Sequence, residues 1–118
     1  MSEIKTIVVK KDLLCADMAI HAEMKFEVIC AVPGLPFGGI FRLKYCPRFV
    51  PEEPGVILLE WNSLAEVIQG MRQEKMTAEE FVSRMANKIY EVVEPVYLNA
   101  AIDVTSSFHL PVTIEVTL

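Results

Sequence analysis

The chain is 118 residues long, 53% hydrophobic, with a net charge of −5 and a mean hydropathy of +0.36. That length excludes two independent cores, and an acidic chain lacks the clustered Lys and Arg that phosphate backbones require, which excludes DNA and leaves only a transient RNA contact. The apolar runs are too short or interrupted for a membrane span, and "MSEIKTIVVKKD" is no signal peptide, so a cytoplasmic protein is expected.

In chain order, "MKFEVIC" (24–30) reads as a short strand. "GGIFRLKYCP" (38–47) then sets Phe41, Leu43 and Tyr45 against Arg42 and Lys44, the period of a half-buried strand. "PRFVPEEPG" predicts an exposed irregular loop, and "VILLE" a short extended segment. Leu64, Val67, Ile68 and Met71 then recur at helical spacing, with Ser63 and Glu66 forming a capping box at the start. A second helix opens with the same spacing at Thr77 and Glu80, buries Phe81, Met85, Ile89 and Val92, and stops at Pro95. Period two returns with Ile102 and Val104 and with Val112, Ile114 and Val116, joined by a turn in "TSSFHLP".

The order is strand, strand, helix, helix, strand, strand. It predicts an α+β layer: an antiparallel sheet with both helices on one face. The hydropathy is high for a monomer of this size, and the apolar, alternating "VTIEVTL" makes an open sheet edge. A ring-shaped or barrel homo-oligomer that closes such edges is the expected assembly.

Cys15, Cys30 and Cys46 are odd in number and widely spaced, so they read as free thiols. There is no CxxC, and His21 and His109 lie far from every cysteine, so no metal site is expected. Cys30 interrupts "VICAVPGLPFGGIF" at a strand end, either as a small apolar closure or as a reactive thiol. Glu79 suits the positive end of a helix as well as it suits a ligand, and Glu60 stands just before a helix start. Trp61, the single tryptophan, reads as core or as a stacking platform; Cys15 and Cys46 read as structural, and His109 as exposed in a turn.

From about residue 24 to 115 the pattern resembles the tunnelling-fold (T-fold) proteins, and among them the 7-cyano-7-deazaguanine (preQ0) reductase family with its archaeal amidinotransferase relatives. Cys30 falls at the family's nucleophile, and Val32, Gly34, Pro36, Tyr45 and Pro47 match the strand that follows. Glu60, Ser63, Leu64, Ile68, Arg72 and Glu79 fit its glutamate-led helix motif and histidine-glutamate pair; Pro95 and Tyr97 match the opening of a later strand. The resemblance implies an N-terminal segment, 1–23, and a single T-fold domain, 24–118. It implies a cysteine thiolate attacking the nitrile carbon of preQ0 to give a thioimide, in queuosine or archaeosine tRNA modification. Glu79 would accept from the guanine-like edge, and Leu59, Glu60 and Trp61 would supply further substrate contacts.

The departures shape that expectation. The lysines that help hold NADPH phosphates in the reductases are here Asn62 and Ala65, and an arginine-glycine turn is here Ser107, Phe108 and His109. No NADPH is therefore expected, as in the amidinotransferases. The family's proton-transferring aspartate is Phe37 and its paired histidine is Ala78. The expected partners are a purine or deazapurine, further copies of the chain and a transient tRNA contact. The alternatives are a non-catalytic purine- or pterin-binding or structural oligomer, and a metal-using GTP cyclohydrolase-like pterin enzyme.

Overall fold

The computed structural model describes residues 3–105 and 110–118. Among these residues, seven strands and two α-helices follow in the order β1 (Thr6–Lys10), β2 (Ile20–Cys30), β3 (Pro36–Cys46), β4 (Gly55–Leu59), α1 (Trp61–Gly70), β5 (Lys75–Met76), α2 (Ala78–Val93), β6 (Tyr97–Val104) and β7 (Val112–Thr117), with a single 3-10 turn at Lys11–Leu13 after β1. Five of these strands form the main sheet, ordered β5-β2-β3-β6-β7, while β1 and β4 pair into a separate two-stranded ribbon.

Alternation decides the faces of the sheet. On β3, Phe37, Phe41, Leu43 and Tyr45 are buried, and on β6 Leu98, Ala100, Ile102 and Val104 are buried. The opposite face carries His21, Glu23, Lys25 and Glu27 of β2 with Arg42 and Lys44 of β3. Helices α1 and α2 cover the apolar face: α1 buries Leu64, Val67 and Ile68, and α2 buries Phe81, Val82, Met85, Ala86, Ile89 and Val93. Phe81 stacks on Phe26 with ring centroids 4.5 Å apart and meets Phe41 edge-on at 6.0 Å, so the second helix is anchored by aromatic contact with two central strands. β3 passes so close to β6 that a Cβ on Gly39 would stand 1.8 Å from the Asp103 carbonyl oxygen, which makes glycine obligatory there.

The expected α+β layer and both helices are present, with several corrections of detail. β2 begins at Ile20 and β3 at Pro36, earlier than the apolar runs suggested, because cross-strand pairing from Ile20↔Tyr45 to Ile29↔Pro36 extends the ladder through polar residues. β1 arises from "TIVVK", whose extended conformation comes from pairing with β4, from Thr6↔Leu59 to Lys10↔Gly55. β5, two residues long, pairs with β2 in parallel, so the sheet is mixed at that edge. The first helix starts earlier than its expected capping box: Glu60, rather than Ser63, is the N-cap, its carboxylate accepting from the Ser63 N–H. The second capping box is present, with Thr77 and Glu80 bonding each other's backbone N–H. Val92 is half-buried, and Val93 completes the inner face of α2 in its place. Most of the turn between β6 and β7, with Ser107, Phe108 and His109, lies outside the described residues.

Candidate functional site

The residues singled out by the sequence fall at two ends of the main sheet. At one end, β2 finishes in Cys30, half-buried against the core. A tight turn follows: the Cys30 N–H donates to the Leu35 carbonyl at 2.8 Å, and the Gly34 N–H donates back to the Cys30 carbonyl at 3.0 Å. Gly34 takes φ +74°, a conformation that L side chains resist, which explains glycine at this position. Cys30 pairs with Met76 of β5, and the Ala31 N–H reaches the Met76 carbonyl at 3.3 Å. Glu79 lies three residues beyond Met76, exposed in the first turn of α2. One inter-strand step plus three residues keeps the Cys30 and Glu79 Cα atoms within about 16 Å. The short parallel strand, which has no signal of its own in the sequence, therefore puts a thiol and a carboxylate at the same edge of one protomer.

The remaining three residues lie elsewhere. Ile20, at the start of β2, lines a cleft of about 420 Å³ with Ile7, Tyr45, Leu58, Leu59, Glu60, Trp61 and Asn62. Ten residues of extended chain separate Ile20 from Cys30, about 33 Å at ~3.3 Å per residue. Within the cleft, Trp61 is 41% exposed and tilts toward the Tyr45 ring at 6.3 Å, whereas Leu59 is buried. The Leu59 N–H donates to the Tyr45 hydroxyl at 3.1 Å, and Glu60 is held as the helix cap. Burial pushes the Tyr45 phenol above its usual pKa, with the Leu59 hydrogen bond acting as a smaller opposing influence. Tyr45, Ile7 and Ile20 were not foreseen as cleft residues. Tyr45 reads from its alternation as plain core, and Ile7 reaches the cleft only through the β1–β4 ribbon.

Phe37, where the resemblance expects a proton-transferring aspartate, and Ala78, where it expects the histidine paired with the glutamate at position 79, are 1% and 4% exposed and belong to the core. Phe37 meets Phe26 edge-on at 6.3 Å and pairs with Val28 across the sheet. Neither Cys30 nor Glu79 lines the Trp61 cleft. A larger cleft, about 590 Å³, runs along Lys25, Glu27, Gly38, Gly39, Gln69 and Arg72 and includes neither residue. Among the described residues, no three His, Cys, Asp or Glu side chains cluster as a metal site would require, and no helix is long and apolar enough to cross a membrane.

No family model matches the chain. A search of curated proteins finds no match. Among solved structures the chain is similar to the archaeosine synthase QueF-Like in its apo form, with a TM-score of 0.71 at 14% identity, over 84% of this chain and 91% of that one. The chain has the tunnelling fold. At that identity the likeness establishes the T-fold architecture, and it comes from the group of proteins that the cysteine and glutamate motifs of the sequence resemble. Within this T-fold, the two candidate carboxylates, Glu60 and Glu79, occupy opposite ends of the main sheet.

Proposed function

We propose that the protein binds a 7-cyano-7-deazaguanine-type purine between copies of itself, in the chemistry of modified-tRNA synthesis, with Cys30 as the residue that meets the nitrile. The observation that carries this reading is the division of the candidate residues. Cys30 and Glu79 share one end of the sheet, while the aromatic, carboxylate-bearing cleft of Leu59, Glu60 and Trp61 sits about 33 Å away at the other. A ligand the size of a purine cannot touch both ends of one protomer. Two copies placed head to tail bring the Cys30 end of one to the Trp61 end of the next, and a closed ring repeats that seam. The structural neighbour is itself described as an archaeosine synthase, which supports a reading in modified-tRNA synthesis.

In this arrangement the Glu79 carboxylate accepts hydrogen bonds from the N–H edge of the base. Trp61 covers an apolar face of the ring. The Cys30 sulfur adds to the nitrile carbon, one C–N π bond breaks, and the thiol proton ends on the nitrile nitrogen, so the thioimide retains every atom of protein and ligand. Nitrogen transfer would follow by attack of an amine or ammonia on that carbon, with the sulfur leaving as thiol. Asn62 and Ala65 offer no cation for a dinucleotide phosphate, so reduction is not part of the proposal.

Intact-mass spectrometry after incubation with preQ0 tests the covalent step. A gain equal to the full mass of the ligand is expected, lost in Cys30→Ala; no adduct at saturating ligand removes it. A second reading, a binding module without turnover, is favoured by Phe37 and Ala78, apolar core residues where the resemblance expects a proton-transferring aspartate and a second polar group. Binding that survives Cys30→Ala and is abolished by Glu79→Gln would establish that reading instead.

A further inference from the structure

The stretch Leu59–Trp61 carries no disulfide, metal or glycine lock, yet it is fixed from two sides. From the sheet, Tyr45 of β3, fully buried, extends its hydroxyl to the Leu59 N–H at 3.1 Å and sets its ring 6.3 Å from that of Trp61. From the N-terminal segment, the Lys5 carbonyl accepts the Glu60 N–H at 3.0 Å, and the Lys5 N–H donates to the Ser63 hydroxyl at 2.8 Å. Ser63 closes the loop by donating its hydroxyl to the Glu60 carbonyl at 2.7 Å and its N–H to the Glu60 carboxylate. The Leu59 and Glu60 N–H groups are thus occupied, and so is one carboxylate oxygen of Glu60. The side-chain surface that the stretch offers a ligand is the half-exposed Trp61 ring and the second Glu60 oxygen.

We infer that Tyr45 is a positioning residue, whose hydroxyl holds the β4–α1 junction so that Trp61 and Glu60 face the 420 Å³ cleft as a preformed platform for a planar, donor-edged ligand. The inference rests on the purine-binding reading above and names the residue that orients its platform. Tyr45 sits in the wall of the cleft but is fully buried, so it acts through the Leu59 amide and through packing on Trp61. Burial raises the phenol further above its ordinary pKa, and its neutral oxygen accepts from that amide. Removing it leaves a buried N–H without a partner at the entry to the helix, and the residue two positions on is the platform itself.

Trp61 is the only tryptophan, so its fluorescence reports the platform directly. Tyr45→Phe in the full chain should shift the wavelength and anisotropy of Trp61 emission without ligand and weaken preQ0 binding, followed by quenching, about five- to twentyfold. Ile89→Val, in the core of α2 and matched in thermal midpoint, should change neither. Ser63→Ala, which releases the second clamp, should reproduce the Tyr45→Phe spectrum and serves in its place where Tyr45→Phe does not fold. Unchanged Trp61 emission in both variants overturns the inference. A wild-type protein that binds no preQ0 overturns the purine reading alone, because the ligand-free spectra still decide the role of Tyr45.

Discussion

Cys30 was legible in the sequence because an apolar run that breaks into Pro33 and Gly34 just after the thiol marks a strand end, and the strand does end there, at the β2–β3 turn. Phe37 was legible as a substitution but not as a consequence. The sequence shows a phenyl ring where the family resemblance leads one to expect a proton carrier; only the packing shows that the ring meets Phe26 edge-on and lies in the core. Reintroducing the acid should therefore fail. Phe37→Asp places a carboxyl at a 1% exposed position and removes an aromatic contact, and should destabilise the fold by more than about 3 kcal/mol in denaturant titration. Cys30 reactivity toward preQ0 should not increase. A stable Phe37→Asp protein with faster adduct formation would show that position 37 reaches the thiol after all.

Among the elements, both helices were legible because each combines a 3.6-residue apolar period with polar residues at its start. For α2 the cap was legible as well, since Thr77 and Glu80 bond reciprocally as their spacing indicates. Thr77→Ala should cost about 1 kcal/mol, read as a lowered urea midpoint at constant slope. Loss of that cap should also loosen the first turn, where Glu79 sits, and so weaken ligand binding beyond the effect on stability. The start of α1 was misplaced because Ser63 and Glu66 have the same spacing as a capping box. The rival cap, Glu60, wins because Ser63 is engaged by Lys5 and by the Glu60 carbonyl. β1 and β5 were hidden for a common reason: each is held by a distant partner, β4 for one and the last two residues of β2 for the other.

At the scale of the whole molecule, one edge of the main sheet is β7, and among the described residues β2 has no strand on the side away from β3 from Ile20 to Val28, because β5 covers only Ile29 and Cys30. Unpaired strand edges favour association with further copies, and the division of candidate residues between the two ends of the sheet asks for the same thing. Sedimentation at micromolar concentration should therefore show a defined oligomer, and Ile114→Lys on β7 should reduce it to smaller species and abolish preQ0 binding together with assembly. A wild-type monomer that still binds preQ0 would contradict the shared-seam arrangement. The sequence by itself determined the α+β class, the two helices, the apolar faces of the long strands and the strand-end position of the candidate thiol, because local periodicity and turn chemistry are written in neighbouring residues. Tertiary structure alone decided that Glu79 stands at the same sheet edge as Cys30, that Glu60 and Trp61 stand at the opposite end and that the Tyr45 hydroxyl meets the Leu59 N–H beside Trp61. Those relations depend on pairings between strands dozens of residues apart, which no local pattern encodes.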